Sequence, residues 1–195
     1  AVKLNNIDAL QIKAITELKL NKMADGVRDT IEFAKKSKNT DALRDIFTVL
    51  CQRKEWPKVV VVGQALIKAN LAERQVYPWL ADSLFRLHRL SEALAACDRY
   101  KQLFGEDLHE LKYNIYIGMA NLPAAAKEVD EMIKASPKDK KLRLLRAANF
   151  VRQHDFEEAL SDYRFAGSLV DTDMVARAKR AECYFALGKY EVAVR

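Results

Sequence analysis

The chain has 195 residues, half of them apolar and 31% charged, the balance of a folded globular protein rather than a disordered one. Its 33 basic and 27 acidic residues leave a net charge of +6, but both signs run along the whole length, so composition alone does not mark a polyanion binder. No apolar run approaches the roughly 20 residues that cross a bilayer, and the opening AVKLNNIDAL lacks the basic, apolar, small-residue succession of a signal peptide.

In chain order, helical periodicity starts near Ile7 or Asp8, with Val27, Ile31 and Ala34 as the expected anchors of a second helix. The run KKSK (35–38) reads as solvated loop charge, as does KDKK (138–141) further on. From residue 50 one pattern recurs. LCQRKEWPKVV begins at 50, LFRLHRLSEAL at 84, YIGMANLPAAA at 116, FVRQHDFEEAL at 150 and YFALGKYEVAV at 184, in steps of 34, 32, 34 and 34. A fixed period of this size is the signature of a repeat architecture.

In these copies the first place is Leu, Tyr or Phe, the seventh is Trp56, Leu90, Leu122, Phe156 or Tyr190, and the tenth is Val59, Ala93, Ala125, Ala159 or Ala193. Those places are the expected core. The fifth holds Lys54, His88, Ala120, His154 or Gly188 in a short polar break, which reads as the turn between two helices. The cluster His154, Asp155, Glu157 and Glu158 therefore reads as a turn followed by a helix start rather than a metal or acid/base centre. A carboxylate at Asp155 suits the exposed amides and positive dipole end there, and Pro57 and Pro123 take the matching early place in their own helices. Cys51, Cys97 and Cys183 are odd in number and far apart, with no metal-ligand spacing. No metal and no cofactor are expected, and a reducing, cytoplasmic setting fits the free thiols.

The pattern resembles the tetratricopeptide repeat, a 34-residue helix-turn-helix unit with the motif W-x2-L-G-x2-Y, A-x3-F, P. RAECYFALGKYEVAV (180–194) is similar to it through Ala181, Tyr184 and Ala193; Ala147, Phe150, Ala159, Tyr163 and Ala166 take the equivalent places one repeat earlier. Pro137 ends the repeat before that, and Ala81, Leu84, Ala93 and Cys97 fill the places around 74–105. The resemblance implies an all-α, right-handed superhelical solenoid of antiparallel helix pairs. One array over 1–195 is expected, with repeats at about 7–39, 40–73, 74–105, 106–139, 140–173 and 174–195. Phe47 and Gly63 stand where a small and a large residue are usual, and Tyr113 replaces a small one, so helix spacing is expected to change at both places. Arg146 and Arg180 occupy a place the motif gives to Leu; packed stems and an ion partner, with Asp162 the candidate, are expected.

In such proteins the first helices line an inner groove, which carries Arg44, Thr48, Asp82, Arg86, Glu110, Asn114, Lys141, Arg152 and Glu182 over as groove-facing places. An apolar column of Phe85, Ile117, Val151 and Phe185 runs beside them. Mixed charge flanking an apolar strip suits an extended or helical peptide with a few side-chain anchors. The clamp that grips acidic chaperone tails is not supplied: Arg44 and Thr48 stand where it needs Lys and Asn, and Trp79, Asp107 and Leu111 fill its other places. The resemblance thus implies a non-catalytic protein- or peptide-binding scaffold, with no nucleophile–base pair and no phosphate-cradling glycine loop in the sequence. The last repeat stops at EVAVR just after its second helix begins, which reads as a segment of a longer protein with apolar surface, including Tyr190, left for self-association. The alternative reading is the partner-holding region of a larger enzyme, such as a bacterial glycosyltransferase, or of a secretion component. An export chaperone ranks lower. An RNA-reading helical repeat also ranks lower, because Asp82, Glu110 and Glu182 sit among the groove places.

Overall fold

The structure is a computed structural model that describes residues 6–37 and 43–193. The described residues form thirteen helices and no strand. In order these are α1 (Asn6–Lys19), α2 (Met23–Lys36), α3 (Arg44–Gln52), α4 (Trp56–Lys68), α5 (Val76–Arg86), α6 (Leu90–Phe104), α7 (His109–Gly118), α8 (Leu122–Ala135), α9 (Lys140–Gln153), α10 (Phe156–Ala166), α11 (Ser168–Thr172), α12 (Met174–Ala186) and α13 (Tyr190–Ala193). None is long and apolar enough to cross a membrane. By internal contacts the chain divides into two compact units, residues 1–108 and 109–195.

One backbone device makes every helix pair. Asn21, Lys54, His88, Ala120, His154 and Gly188 all lie at positive φ, between 55° and 75°. Each donates its N–H three residues back, and the next residue donates five residues back: His154 to the Val151 carbonyl and Asp155 to Phe150, His88 to Phe85 and Arg89 to Leu84. This left-handed closure satisfies two carbonyls at the helix end and reverses the chain within two residues. A non-glycine residue held there costs roughly 1–2 kcal/mol, which the closure and the packing beyond it must exceed. His154 is thus the turn the sequence predicts, its ring 5.7 Å edge-on to Phe156. Asp155 does sit at the start of α10, but its side chain makes no cap hydrogen bond, so only its charge acts on the helix end. Side-chain caps occur elsewhere: Asn121 Oδ1 accepts from Ala124 N at 3.2 Å and Asp173 Oδ1 from Val175 N at 2.9 Å.

In the first unit the core joins Ala14, Leu18, Phe33, Ile46, Leu50, Val59 and Leu66. The buried face of α2 is Gly26, Asp29, Thr30 and Phe33, one residue off the predicted anchors Val27, Ile31 and Ala34, which are half-buried at its edge. Gly26 fixes that register, because a Cβ there would lie 2.7 Å from Leu18 Cγ. Lys58 Nζ of α4 donates to the Leu18 carbonyl at 2.7 Å and ties the first two pairs together. Phe47 does change the packing as expected. It is fully buried and stacks on Trp79 of α5, centroids 4.9 Å apart and planes at 9°, while α3 and α4 approach each other far less than α1–α2, α5–α6, α7–α8 or α9–α10 do. Tyr113 does not have this effect; it is buried among Ala125, Val129 and Ile133, and α7 and α8 pack as closely as α5 and α6.

In the second unit Ala147, Ala159, Leu160, Tyr163, Ala166, Val170 and Cys183 form the core that joins α9, α10 and α12. Fully burying a side chain of this size contributes about 1.5–3 kcal/mol relative to exposure. Gly167 (φ 58°, ψ −127°) stops α10, and the single turn of α11 buries Val170 before Asp173 starts α12. The periodicity gave no sign of that extra turn.

Candidate functional site

In the first unit the predicted groove places lie on α3 and α5. Arg86 is exposed, yet held from two sides: its Nε donates to Asp82 Oδ2 at 2.7 Å, one turn back, and its guanidinium lies 4.7 Å from the ring centroid of Trp56 at the start of α4. The alternating charges of the sequence thus become a local pair plus a cation–π contact, each worth well under about 1 kcal/mol at an exposed site. Trp56 was assigned to the core by the repeat pattern; its role under Arg86 depends on a contact 30 residues away that no local signal reports. Phe85 and Thr48 are half-buried, and Arg44 is exposed at the start of α3. Cys51 sits within electrostatic reach of Asp82 and Arg86; burial first, then Asp82, pushes its thiol up, so it is no reactive thiolate.

In the second unit Glu110 and Asn114 on α7, Lys141 and Arg152 on α9 and Glu182 on α12 are exposed. Glu182 accepts from Lys179 Nζ at 2.7 Å. The apolar places separate. Ile117 is half-buried against the α7–α8 core, and Phe185 is 65% exposed with its ring edge-on to Tyr190 at 5.2 Å. Val151 is a correction: at 4% exposure it belongs to the core with Ala147 and Ala159 and offers nothing to a groove ligand.

The arginines at the leucine place are structural. Arg146 grips Asp162 with Nε (2.7 Å) and Nη2 (2.8 Å), and reaches Asp130 with Nη1 at 2.8 Å. Asp162 is 3% exposed, and with Asp130 it pushes Arg146 further up from an already high value, so the cation is permanent. Arg180 does not use Asp162; its Nη2 bonds Asp171 Oδ1 at 3.0 Å. The sequence also gave no hint of His109 Nδ1 on Glu128 Oε2 at 2.6 Å, with Lys112 Nζ 3.7 Å from the same carboxylate, a packed polar contact between α7 and α8. His154, Asp155, Glu157 and Glu158 are all exposed on and after their turn.

Six left-handed turns joining antiparallel helix pairs, with small residues at the crossings, define an all-α helical-repeat fold of the tetratricopeptide type. Solved structures agree. The MamA protein superposes with a TM-score of 0.68 at 12% identity, over 80% of this chain and 86% of that one. YrrB, a TPR protein with an unusual peptide-binding site, gives 0.68 at 12% over 86% of each chain. A tetratricopeptide repeat protein from Parabacteroides merdae gives 0.65 at 16%, over 96% of this chain and 76% of its own. No protein-family model matches the sequence, and no curated protein matches it either.

Proposed function

We propose that the chain is a non-catalytic scaffold that binds a protein or peptide on the first-helix faces of its repeats. The observation that carries this reading is the surface around Arg86: a cation seated on Trp56 and paired with Asp82, next in the chain to half-buried Phe85, offers aromatic surface with charge of both signs. Such a surface suits an extended or helical peptide with one or two apolar anchors and an acidic group. The reading treats the six helix pairs as one array, and takes support from YrrB, a protein of the same fold with a peptide-binding site. Function as the partner-holding region of a larger enzyme or secretion component would use the same faces. RNA is disfavoured because Asp82, Glu110 and Glu182 interrupt any basic track.

The test is selection of a random peptide library on the whole chain. An enriched consensus that binds the wild type and is lost on an Arg86→Glu/Arg152→Glu variant with unchanged circular dichroism is expected. No enrichment, or a consensus indifferent to both substitutions, overturns the reading.

A further inference from the structure

The Trp and Leu places of the repeat motif have two kinds of occupant in this chain. In the first unit they hold Leu43 and Ile46, then Tyr77 and Leu80, all buried. In the second they hold His109 and Lys112, Arg143 and Arg146, and Arg177 and Arg180, each pair 34 residues after the one before. Cations at a core place need partners inside the fold, and a repeat that departs from its own packing rule three times over is a place to look for a ligand.

At the middle pair the partnering is uneven. Arg146 donates twice to Asp162 and once to Asp130. Arg143 is left with a single bond of 3.3 Å to the same Asp162, and its buried Nε has no acceptor among the described residues. A buried donor without an acceptor is unfavourable when it serves the fold alone. Between these arginines and the face of α8 that carries Lys127, Asp130, Glu131 and Lys134 lies a cleft of about 540 Å³. Its two acids are already matched, Asp130 by Arg146 and Glu131 by Lys134 at 2.6 Å. Lys127 is exposed and has no partner among the described residues. Uncompensated positive charge therefore remains on both walls, at Arg143 of α9 and Lys127 of α8.

We propose that this cleft binds a phosphate monoester, with Arg143 and Lys127 as the two cations that hold it. Together they match a dianion, whereas a single carboxylate leaves one of them unpaired. Arg143 gives up its long bond at little loss, because Asp162 keeps both bonds from Arg146. Its guanidinium lies 4.7 Å from the ring centroid of half-exposed Phe165, a flat support on which it can turn toward the cleft. None of the first-helix groove places lines the cleft, so the proposal does not depend on the peptide reading.

The test is a titration of the whole isotope-labelled chain, at constant ionic strength and about pH 7.5, where the phosphate group is a dianion. The probes are inorganic phosphate, capped phosphoserine and, as the carboxylate control, capped aspartate. Saturating shifts of the Lys127 and Arg143 amides and of the Arg143 Nε–H are expected with both phosphates. Lys127→Glu, at an exposed position, should weaken binding at least about tenfold, and Arg143→Gln should do the same with circular dichroism unchanged. Phosphoserine bound at least about tenfold tighter than phosphate would assign a phosphorylated protein as the source, and equal binding a small free phosphate. Shifts still linear at about 20 mM phosphate, shifts reproduced by sodium chloride, or binding that survives both substitutions overturns the proposal. So does capped aspartate that saturates with the affinity of phosphate.

Discussion

The pairs α3–α4 and α9–α10 place the same two sizes in opposite order. In the second unit, small Ala147 on α9 lets large Tyr163 on α10 close the pair; in the first, large Phe47 stands on α3 and Gly63 on α4. The bulk is conserved but its destination changes. Tyr163 lies in the core that α9, α10 and α12 share, on a helix that packs most closely on α9, whereas Phe47 stacks on Trp79 of the following pair. Gly63 accepts the consequence: the space a Cβ would take lies 3.6 Å from Leu80 and 3.7 Å from Val76 of α5, so α4 sits close on α5 instead of α3. A repeat can therefore move its tight contact from within a pair to between pairs, provided small and large residues exchange together.

The comparison breaks most visibly at its large residue. Phe47→Ala should cost about 3–5 kcal/mol, because the cavity it leaves borders two helix pairs; chemical denaturation with an unchanged m-value checks this. A loss below about 1 kcal/mol would mean Trp79 collapses into the space. Asp162→Ala comes next, at about 3 kcal/mol, since it strips a nearly buried partner from Arg146 and leaves the guanidinium with exposed Asp130. Moving the bulk into the tight pair with Ala147→Phe should cost about 1–3 kcal/mol by overpacking, although α3 carries a phenylalanine, Phe47, at the equivalent place. A neutral Ala147→Phe would show that the two pairs do not differ in closeness. The turns give a smaller effect of opposite sign: Ala120→Gly relieves a left-handed alanine and should stabilise by up to about 1 kcal/mol, net of the entropy glycine adds to the unfolded chain.

The smallest effect is a pH dependence inside the α1–α2 contact. A hydrogen bond from Lys13 Nζ, helped by Arg28, holds the buried Asp29 carboxyl below its ordinary range, while burial and then Asp29 itself push the neighbouring Glu17 up. Asp29 therefore contributes stability above the usual carboxylate range that is lost as pH falls through its lowered value. Glu17 acts in reverse, because its ionised form is disfavoured at neutral pH and the penalty disappears as pH falls through its raised value. Glu17→Gln should raise Tm at pH 7, with the gain fading below about pH 4. A Tm lowered at pH 7 would mean that Glu17 is held by Lys13 more than it is opposed by Asp29.

The fold was legible because its signals repeat. One left-handed turn residue every 34 or so positions, flanked by apolar places at constant offsets, fixes the helix pairs without knowledge of what they pack on. The site was less legible because one register place has several fates. Phe85, Ile117, Val151 and Phe185 stand at equivalent positions, yet two are half-buried, one is core and one is open, according to what lies beside them. Trp56 beneath Arg86 and the α11 turn were missed for related reasons: the first is a contact between helices, and the second is too short to show a period. Arg146 was foreseen with its partner, whereas Arg180, in the same place, pairs with Asp171 on the α11 turn, which the periodicity did not show.

The central claim, that the first-helix faces bind a peptide, is tested most directly by backbone amide shift mapping of the labelled chain with a library-selected peptide. The account predicts saturating shifts at Thr48, Asp82 and Arg86 in the first unit or at Asn114 and Arg152 in the second, with α4, α6, α8 and α10 unmoved beyond Trp56. Shifts confined to the second helices would contradict it.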